Sequence, residues 1–519
     1  MMSFLLQRSL TLTLPPLRLP LSWRTPLLAG GVLILGLALT WLPLPVSVLL
    51  IGGAIFLCFL LKYPLLSVYL LIPIIPFSSL LALPVGGFKV GVMELMLVAG
   101  LTAWLLRLST RHHYPNKAAT LPPAPLVLSF LLFLGCASLS WLNALSIGAS
   151  LVETAKWVEM LALYLLMTTL LPRPQIKWVV AVLLLTGLVQ AGLGLYQFIF
   201  KVGPEGFLLF GGQFLRAYGT FAQPNPYAGY LGLILPLALA IQGLGVRGQR
   251  LGVRDQGLRS KVTLLRIMYY ALRITLYALP FALLLAALFA SQSRSAWLAF
   301  GAAALVTLIA LSKKPIVWLA GLALAGALVF LSGTLAATLI PDTNTPYGVI
   351  VQRLADAVDI TTITDISTLE VTDANFATVE RLAHWQAARD MWRDQPWLGV
   401  GFGNYAAVYP AYAVGRWLDP LGHAHNYLLN LGAETGLAGI IGYLIFWIWT
   451  FRVTWRAVRR SHGFERAVAA GGLGILVHLH IHNLFDNLYV QGMYLHVAIV
   501  LALISVIYLC KKETSELCY

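Results

Sequence analysis

The stretch "HNYLLNLGAETGLAGIIGYLIFWIWT", residues 425–450, decides the fold. Beyond its first two residues it is apolar for longer than the roughly 20 residues needed to cross a hydrocarbon core, and Glu434 is its one charged group. A segment like this belongs inside a bilayer, and its polar start marks where the chain meets water.

Working outward, runs of the same kind recur from Pro26 to Cys510, at about 26–42, 44–61, 63–83, 88–106, 123–141, 150–171, 177–200, 223–245, 268–290, 294–311, 315–340, 426–451, 467–485 and 488–510. With 59% hydrophobic and 11% charged residues in 519, the chain has too little polar surface for a water-soluble protein of this size. The reading is an all-α polytopic membrane bundle of about 12–14 transmembrane helices. It divides into a cytoplasmic segment 1–25, N-terminal helices 26–200, a central region 201–340, an outer loop 341–425, C-terminal helices 426–510 and a tail 511–519.

Basic residues fix the orientation. Arg8, Arg18 and Arg24, then Arg107, Arg111 and Lys117, the loop from Arg247 to Arg266, Lys313 with Lys314, the group Arg452 to Arg460, and Lys511 with Lys512 all fall on one side of these spans. That side is the cytoplasm, both termini lie in it, and a bacterial cytoplasmic membrane is the expected location. The net charge of +15 is spread over short loops beside spans, so membrane lipids, not nucleic acid, are its expected partners. Cys58, Cys136, Cys510 and Cys518 offer neither a disulfide framework nor metal-ligand spacing.

The opposite side gathers the chemistry. Half of the 20 acidic residues lie in loop 341–425, where "TVERLAHWQAARDMWRDQPW", residues 378–397, reads as an amphipathic helix with Leu382, Trp385, Ala388 and Trp392 as its apolar stripe and Pro396 as its stop. "LGVGFGNY", residues 398–405, is a glycine-rich turn without the preceding strand of a nucleotide site. If 425–450 is one helix, Gly432, Gly436 and Gly439 return to within about 40° of His425, making a small-residue groove topped by an imidazole. His425 then suits proton transfer, although an interfacial cap would look the same in sequence.

Arg294, in "SQSRSAW", opens the tenth span, and Arg216, in "RAYGTFAQPNPYAGY", stands before a Pro-Asn-Pro helix start. Either would also serve as a structural partner for a loop carboxylate. Together with His425 they suit a multiply charged anion, because guanidinium forks match phosphate oxygens. Outside the cytoplasm a lipid-linked diphosphate fits that description. No D-x-D pair is present to hold a metal beneath it, so neither metal nor cofactor is expected.

At these residues the chain resembles the O-antigen ligase family, in "RAYGTFAQPNPYAGYL", "SQSRSAWLAF", "ARDMWRDQPWLGVGFGNY" and "HNYLLNLGAETGLAG", the last placing His425, Asn426, Gly436 and Gly439 at the family's spacing. The likeness covers about residues 200–490. It implies a GT-C-like helical membrane fold and a metal-independent inverting glycosyltransferase. Such an enzyme moves a glycan from undecaprenyl diphosphate to an acceptor hydroxyl on a lipid, glycan or protein. By motif His425 is the implied catalytic base, Arg216 and Arg294 hold the diphosphate, and Asn426 belongs to the same substrate site.

Arg381 is a further candidate for sugar or phosphate, with an exposed salt bridge as the alternative. His482 and Asp486 are candidates to line the site; His423 reads as solvated. His478, His480 and His482 look like a metal cluster, but on a helix the middle residue faces away from the other two. Two other functions remain open: polymerisation of exopolysaccharide or O-antigen repeat units, by the same chemistry, and transport of a small anion such as bicarbonate. Transport predicts ionisable residues and broken helices near the bilayer midplane, and Glu153, Lys156 and Glu159 are the residues nearest to that pattern.

Overall fold

The computed structural model describes residues 43–85, 88–111, 124–209, 212–247, 278–312 and 376–509, with Gly36 and Val371. The expected span 315–340, nearly all of 26–42, and most of the basic loop before residue 278 lie outside the described residues.

The architecture is helical: α1 Leu44–Lys62, α2 Leu66–Ile74, α3 Val92–Arg111, α4 Val127–Ser138, α5 Ile147–Leu170, α6 Ile176–Phe200, α7 Pro224–Gly232, α8 Leu235–Arg247, α9 Ala278–Ala290, α10 Arg294–Leu311, α11 Phe376–Asp394, α12 Tyr427–Arg460, α13 Gly463–His482 and α14 Met493–Leu509. Among the described residues six helical segments are long and apolar enough to cross a membrane. The protein is an all-α polytopic membrane protein, with, among the described residues, two short antiparallel strand pairs that hydropathy does not reveal. In one, β1 Ala82–Val85 pairs with β2 Phe88–Gly91, so the span expected from residue 88 begins as a helix only at Val92. In the other, β3 Leu208–Leu209 pairs with β4 Phe214–Leu215.

The expected span 223–245 is two helices. Pro236 has no N–H to offer the preceding turn, and the backbone tightens there, with Ile234 N–H donating to Leu231 O (3.0 Å). Close helix packing falls on α13 against α10 and α8. A Cβ on Gly474 would lie 2.1 Å from Thr307 Oγ1, and one on Gly471 would lie 2.7 Å from Leu237 Cα.

The largest departure is in α12, where the expected continuous helix with a glycine groove under His425 does not form. Gly436 has φ 58° and ψ −160°, outside the helical region, and the chain reverses there. The rings of Tyr427 and Tyr443 lie 5.6 Å apart, whereas an unbroken helix would hold the two residues about 24 Å apart. A short outer arm, 427–435, therefore runs antiparallel to the start of the long arm, 437–460.

A break of this kind leaves two helix ends with unpaired backbone groups. Residues 396–401 satisfy both. Val400 and Gly401 N–H donate to the carbonyls of Ala433 (2.9 Å) and Glu434 (3.0 Å), which end the outer arm. Leu437 and Ala438 N–H, which start the long arm, donate to the carbonyls of Pro396 (2.8 Å) and Trp397 (3.1 Å). The glycine-rich turn is thus a double cap. Glu434 completes it, its Oε1 accepting from Tyr405 N–H at 3.1 Å.

Beneath the reversal, Trp157 of α5 packs against Phe133 (ring centroids 4.5 Å) and Tyr489 (5.0 Å), and the Tyr443 and Tyr489 hydroxyls meet at 3.1 Å. This aromatic floor lies about 25 Å along the long arm from Arg460, close to the far edge of a hydrocarbon core about 30 Å thick.

Candidate active site: a histidine–aspartate pair on the aromatic floor

His425 sits just before α12 with φ 52°, a left-handed conformation that non-glycine residues adopt at some cost. Two bonds fix the chain after it. Asn426 caps the outer arm, its Oδ1 accepting from Leu429 N–H (3.1 Å), and Tyr427 N–H donates to Asn483 O (2.7 Å) in the turn after α13. That turn carries Asp486.

His425 Nδ1 lies 3.6 Å from Asp486 Oδ1, and His423 Nε2 lies 4.0 Å from the same oxygen. His423 Nδ1 accepts the His425 backbone N–H (3.1 Å), so the neutral ring keeps its proton on Nε2, facing the carboxylate. Burial alone would raise the Asp486 carboxyl, but the contacts from His425 and His423 outweigh it and hold the group below the usual carboxylate range. Asp486 is thus an anion facing His425 Nδ1, which makes no hydrogen bond among the described residues.

The donor atoms of His423, His425 and Asp486 all lie within 4.8 Å of one another, a spacing that admits a metal ion. Their protons argue otherwise: a metal needs the lone pair of His423 Nε2, yet that nitrogen carries the proton as long as Nδ1 accepts from His425 N–H. The three residues are better matched to holding protons. His480 packs on Trp447 (4.5 Å), away from His478 and His482, whose rings lie 5.4 Å apart.

The opposite wall is α11. Val379, Ala383, Ala387, Ala388 and Met391 are its buried apolar residues, with His384 buried beside them, a stripe displaced from the expected one, because Trp385 and Trp392 face the site and the outer arm. Trp385 Nε1–H donates to His425 O (3.3 Å), and Trp392 fills the space beside Gly432. His384 stacks on Tyr409 (4.7 Å, 21°), meets the Tyr405 hydroxyl at 2.9 Å, and turns its edge toward His425 (5.9 Å). Burial and then the neighbouring His425 lower His384 to about 4. Burial raises Glu380, against the pull of His425 and Arg381.

Arg381 makes no hydrogen bond or close ion pair among the described residues. It stands within electrostatic reach of Glu380 and His482.

Arg216 donates from Nε to Ser291 O (3.0 Å) and from Nη2 to Asn225 Oδ1 (2.8 Å), while Ala217 N–H donates to Ala290 O (3.0 Å). The motif around Arg216, the Pro-Asn-Pro helix start and the segment leading to Arg294 are therefore one joined structure. Arg294 is the first residue of α10, which packs along α13. The contacts described here link the two arginine segments to each other; those of His425 link it to Asp486, His423, His384 and Trp385.

His423 is not the solvated residue that its sequence suggests: burial, set against the charge of Asp486, lowers it to about 4. Its spacing of two from His425 was the available signal. His384 had none, because its partners Tyr405 and Tyr409 reach it only through the double cap.

The fold defines a polytopic membrane protein, with a histidine–aspartate pair at one end of its helical bundle. Residues 279–444 match the family model described as O-antigen ligase, a segment that includes Arg294, Arg381, His423 and His425. The match covers less than half of the chain and supports a membrane function in the joining of glycans in the broad sense, ligation or polymerisation. No curated protein matches the chain.

Proposed function

We propose that the protein transfers a glycan from undecaprenyl diphosphate to an acceptor hydroxyl at the outer face of a bacterial cytoplasmic membrane, without a metal and with inversion at the anomeric carbon. One observation carries the reading: His425, on the same family-matched segment as Arg381 and Arg294, has the Asp486 carboxylate 3.6 Å behind Nδ1.

In this mechanism the acceptor hydroxyl hydrogen-bonds to His425 Nε2. As its oxygen attacks the anomeric carbon, the proton passes to Nε2, and Asp486 steadies the imidazolium that results. The bond from the anomeric carbon to the diphosphate oxygen breaks on the opposite face, and its electron pair leaves with the diphosphate. Arg381, with Arg216 and Arg294, neutralises that charge in the role a metal plays elsewhere. The aromatic floor and α11 keep bulk water from competing with the acceptor.

Ligation and polymerisation share every step and differ in the acceptor. A transporter would share the broken helix, but it would use the freed backbone groups to coordinate its ion. Here residues 396–401 occupy the freed groups of α12.

The test uses the purified full chain in liposomes with an undecaprenyl-diphosphate trisaccharide as donor and, in separate arms, lipid A–core or a second donor molecule as acceptor. Transfer that persists in EDTA and vanishes in His425→Ala is the expected result. Transfer at the wild-type rate by His425→Ala removes the role given to this residue, and abolition by EDTA removes metal independence.

A further inference from the structure

Between β4 and α7 the chain has no helix or strand of its own, yet the backbone N–H groups from Arg216 to Thr220 are all paired with other parts of the molecule. Arg216 N–H donates to Phe207 O (2.9 Å) and Ala217 N–H to Ala290 O (3.0 Å). The next three turn to side chains of α6: Tyr218 and Gly219 N–H both donate to Gln197 Oε1 (3.1 and 2.7 Å), and Thr220 N–H donates to Gln190 Oε1 (3.1 Å). Gln197 Nε2 donates in turn to Gly219 O (2.7 Å). One side-chain amide thus makes three bonds to two successive residues.

Polar side chains on membrane helices commonly bond across to a neighbouring helix. Gln190 and Gln197, about two turns apart on the apolar α6, instead grip an irregular segment. The seating is close: Gly219 has φ +57°, and a Cβ there would lie 2.6 Å from Gln190 Oε1, so only glycine fits. What the gripped segment carries is Arg216. Its guanidinium reaches Ser291 O, in the link from α9 to α10, and Asn225 Oδ1, in the first turn of α7. Those partners lie on separate segments, so the place of the guanidinium depends on where the backbone of 216–219 is held. Gln197 holds it.

We propose that Gln197 is a positioning residue that holds the Arg216 turn so that the guanidinium meets the donor diphosphate, an inference that rests on the glycan-transfer reading. In this role Gln197 touches neither donor nor acceptor. Its amide fixes the peptide planes at Tyr218 and Gly219 and, through Ala217, the direction in which Arg216 leaves the chain. Without the amide, two N–H groups and a carbonyl lose their partner and the guanidinium spreads over several positions. A misplacement of about 1 Å at such a contact is worth up to about 10²-fold. The fold itself is less affected, because Thr220 N–H stays on Gln190 and Ala217 N–H on Ala290 O.

The experiment uses the liposome-reconstituted full chain with the undecaprenyl-diphosphate trisaccharide and the acceptor that supports transfer. In Gln197→Met, which keeps the length of the side chain without its amide, the donor kcat/KM is expected to fall about 10- to 100-fold with the acceptor KM within about twofold of wild type. If Gln197→Met does not fold, Gln197→Asn, whose amide is withdrawn by one methylene, takes its place with the same expected loss. The deciding measurement is donor affinity, titrated in both single variants and the double variant. Once Arg216 is replaced in Arg216→Ala, Gln197→Met is expected to weaken binding by less than about twofold more, because the group to be positioned is gone. Fully additive losses overturn the proposal, as does wild-type donor kcat/KM in Gln197→Met or an equal rise in its acceptor KM. Unchanged donor affinity in Arg216→Ala removes the diphosphate role from Arg216 and this inference with it, and absence of transfer by the wild-type chain overturns the glycan-transfer reading. An impaired Arg216→Ala beside an unimpaired Gln197→Met is the failure of this inference alone, so the failures are distinguishable.

Discussion

Gly399 lies so close to the backbone of Glu434 that a Cβ on it would come within 2.3 Å of the Glu434 carbonyl carbon. Gly399 also has φ +69°, so a side chain there is strained twice, by space and by backbone. Gly399→Ala is expected to loosen the cap on α12. The left-handed conformation alone costs about 1–2 kcal/mol, and the steric overlap adds to it. A drop in melting temperature in detergent should accompany the loss of transfer; an unchanged melting curve would show that the cap does not hold the reversal.

Asp486→Asn keeps the shape of the site but removes the charge behind His425. The amide no longer fixes the proton on Nδ1, so the base loses both its tautomer and its stabilised imidazolium. The expected fall in kcat is about 10²–10⁴-fold, with donor affinity nearly unchanged. Measured turnover within threefold of wild type would remove the pair from the mechanism.

Arg381→Ala should weaken donor binding and flatten its dependence on salt, while Arg381→Lys keeps the charge and recovers only part of the affinity, because an ammonium lacks the planar fork. Titration of the undecaprenyl-diphosphate trisaccharide at two ionic strengths measures both. Equal affinity in all three proteins would return Arg381 to the surface of its helix.

The two depressed histidines make the outer wall sensitive to acid. His384 and His423 are held at about 4 in the folded protein against an ordinary value of 6.5, chiefly by burial. Between these values the unfolded chain binds more protons than the folded one, so stability rises with pH across that window and is flat above it. Around His384 stand His425 and Asp419; around His423 stand Asp486, His425, His384 and Lys156. Opening of α11 and the outer arm of α12, measured as amide exchange corrected for its intrinsic pH dependence, should increase as pH falls from 6.5 toward 4. A rate of opening independent of pH in that range would contradict the buried neutral rings.

Much of the helical scaffold was legible in sequence, because lipid-crossing length and apolarity leave few alternatives; α10 begins at Arg294 and ends at Leu311, as its hydropathy alone predicts. The helix of the outer loop was legible too, but not its buried face, since both sides of α11 meet protein. The reversal at Gly436 was not legible. Glycine at that position reads equally well as a helix-packing residue, and the groups that permit the break come from residues 396–401, which no local periodicity connects to it. His425 and Asp486 each drew attention as polar residues in apolar surroundings, whereas their approach to 3.6 Å follows from the folded-back arm and the Tyr427–Asn483 bond.

The double cap also limits how this protein can be taken apart. Because residues 396–401 supply backbone partners on both sides of Gly436, the loop and the long arm of α12 form a single cassette, roughly 376–460. An outer loop exchanged with that of a relative, or expressed alone, would leave exposed backbone at the top of the bundle. Chimeras meant to alter acceptor choice should therefore have their junctions before Phe376 and after Arg460.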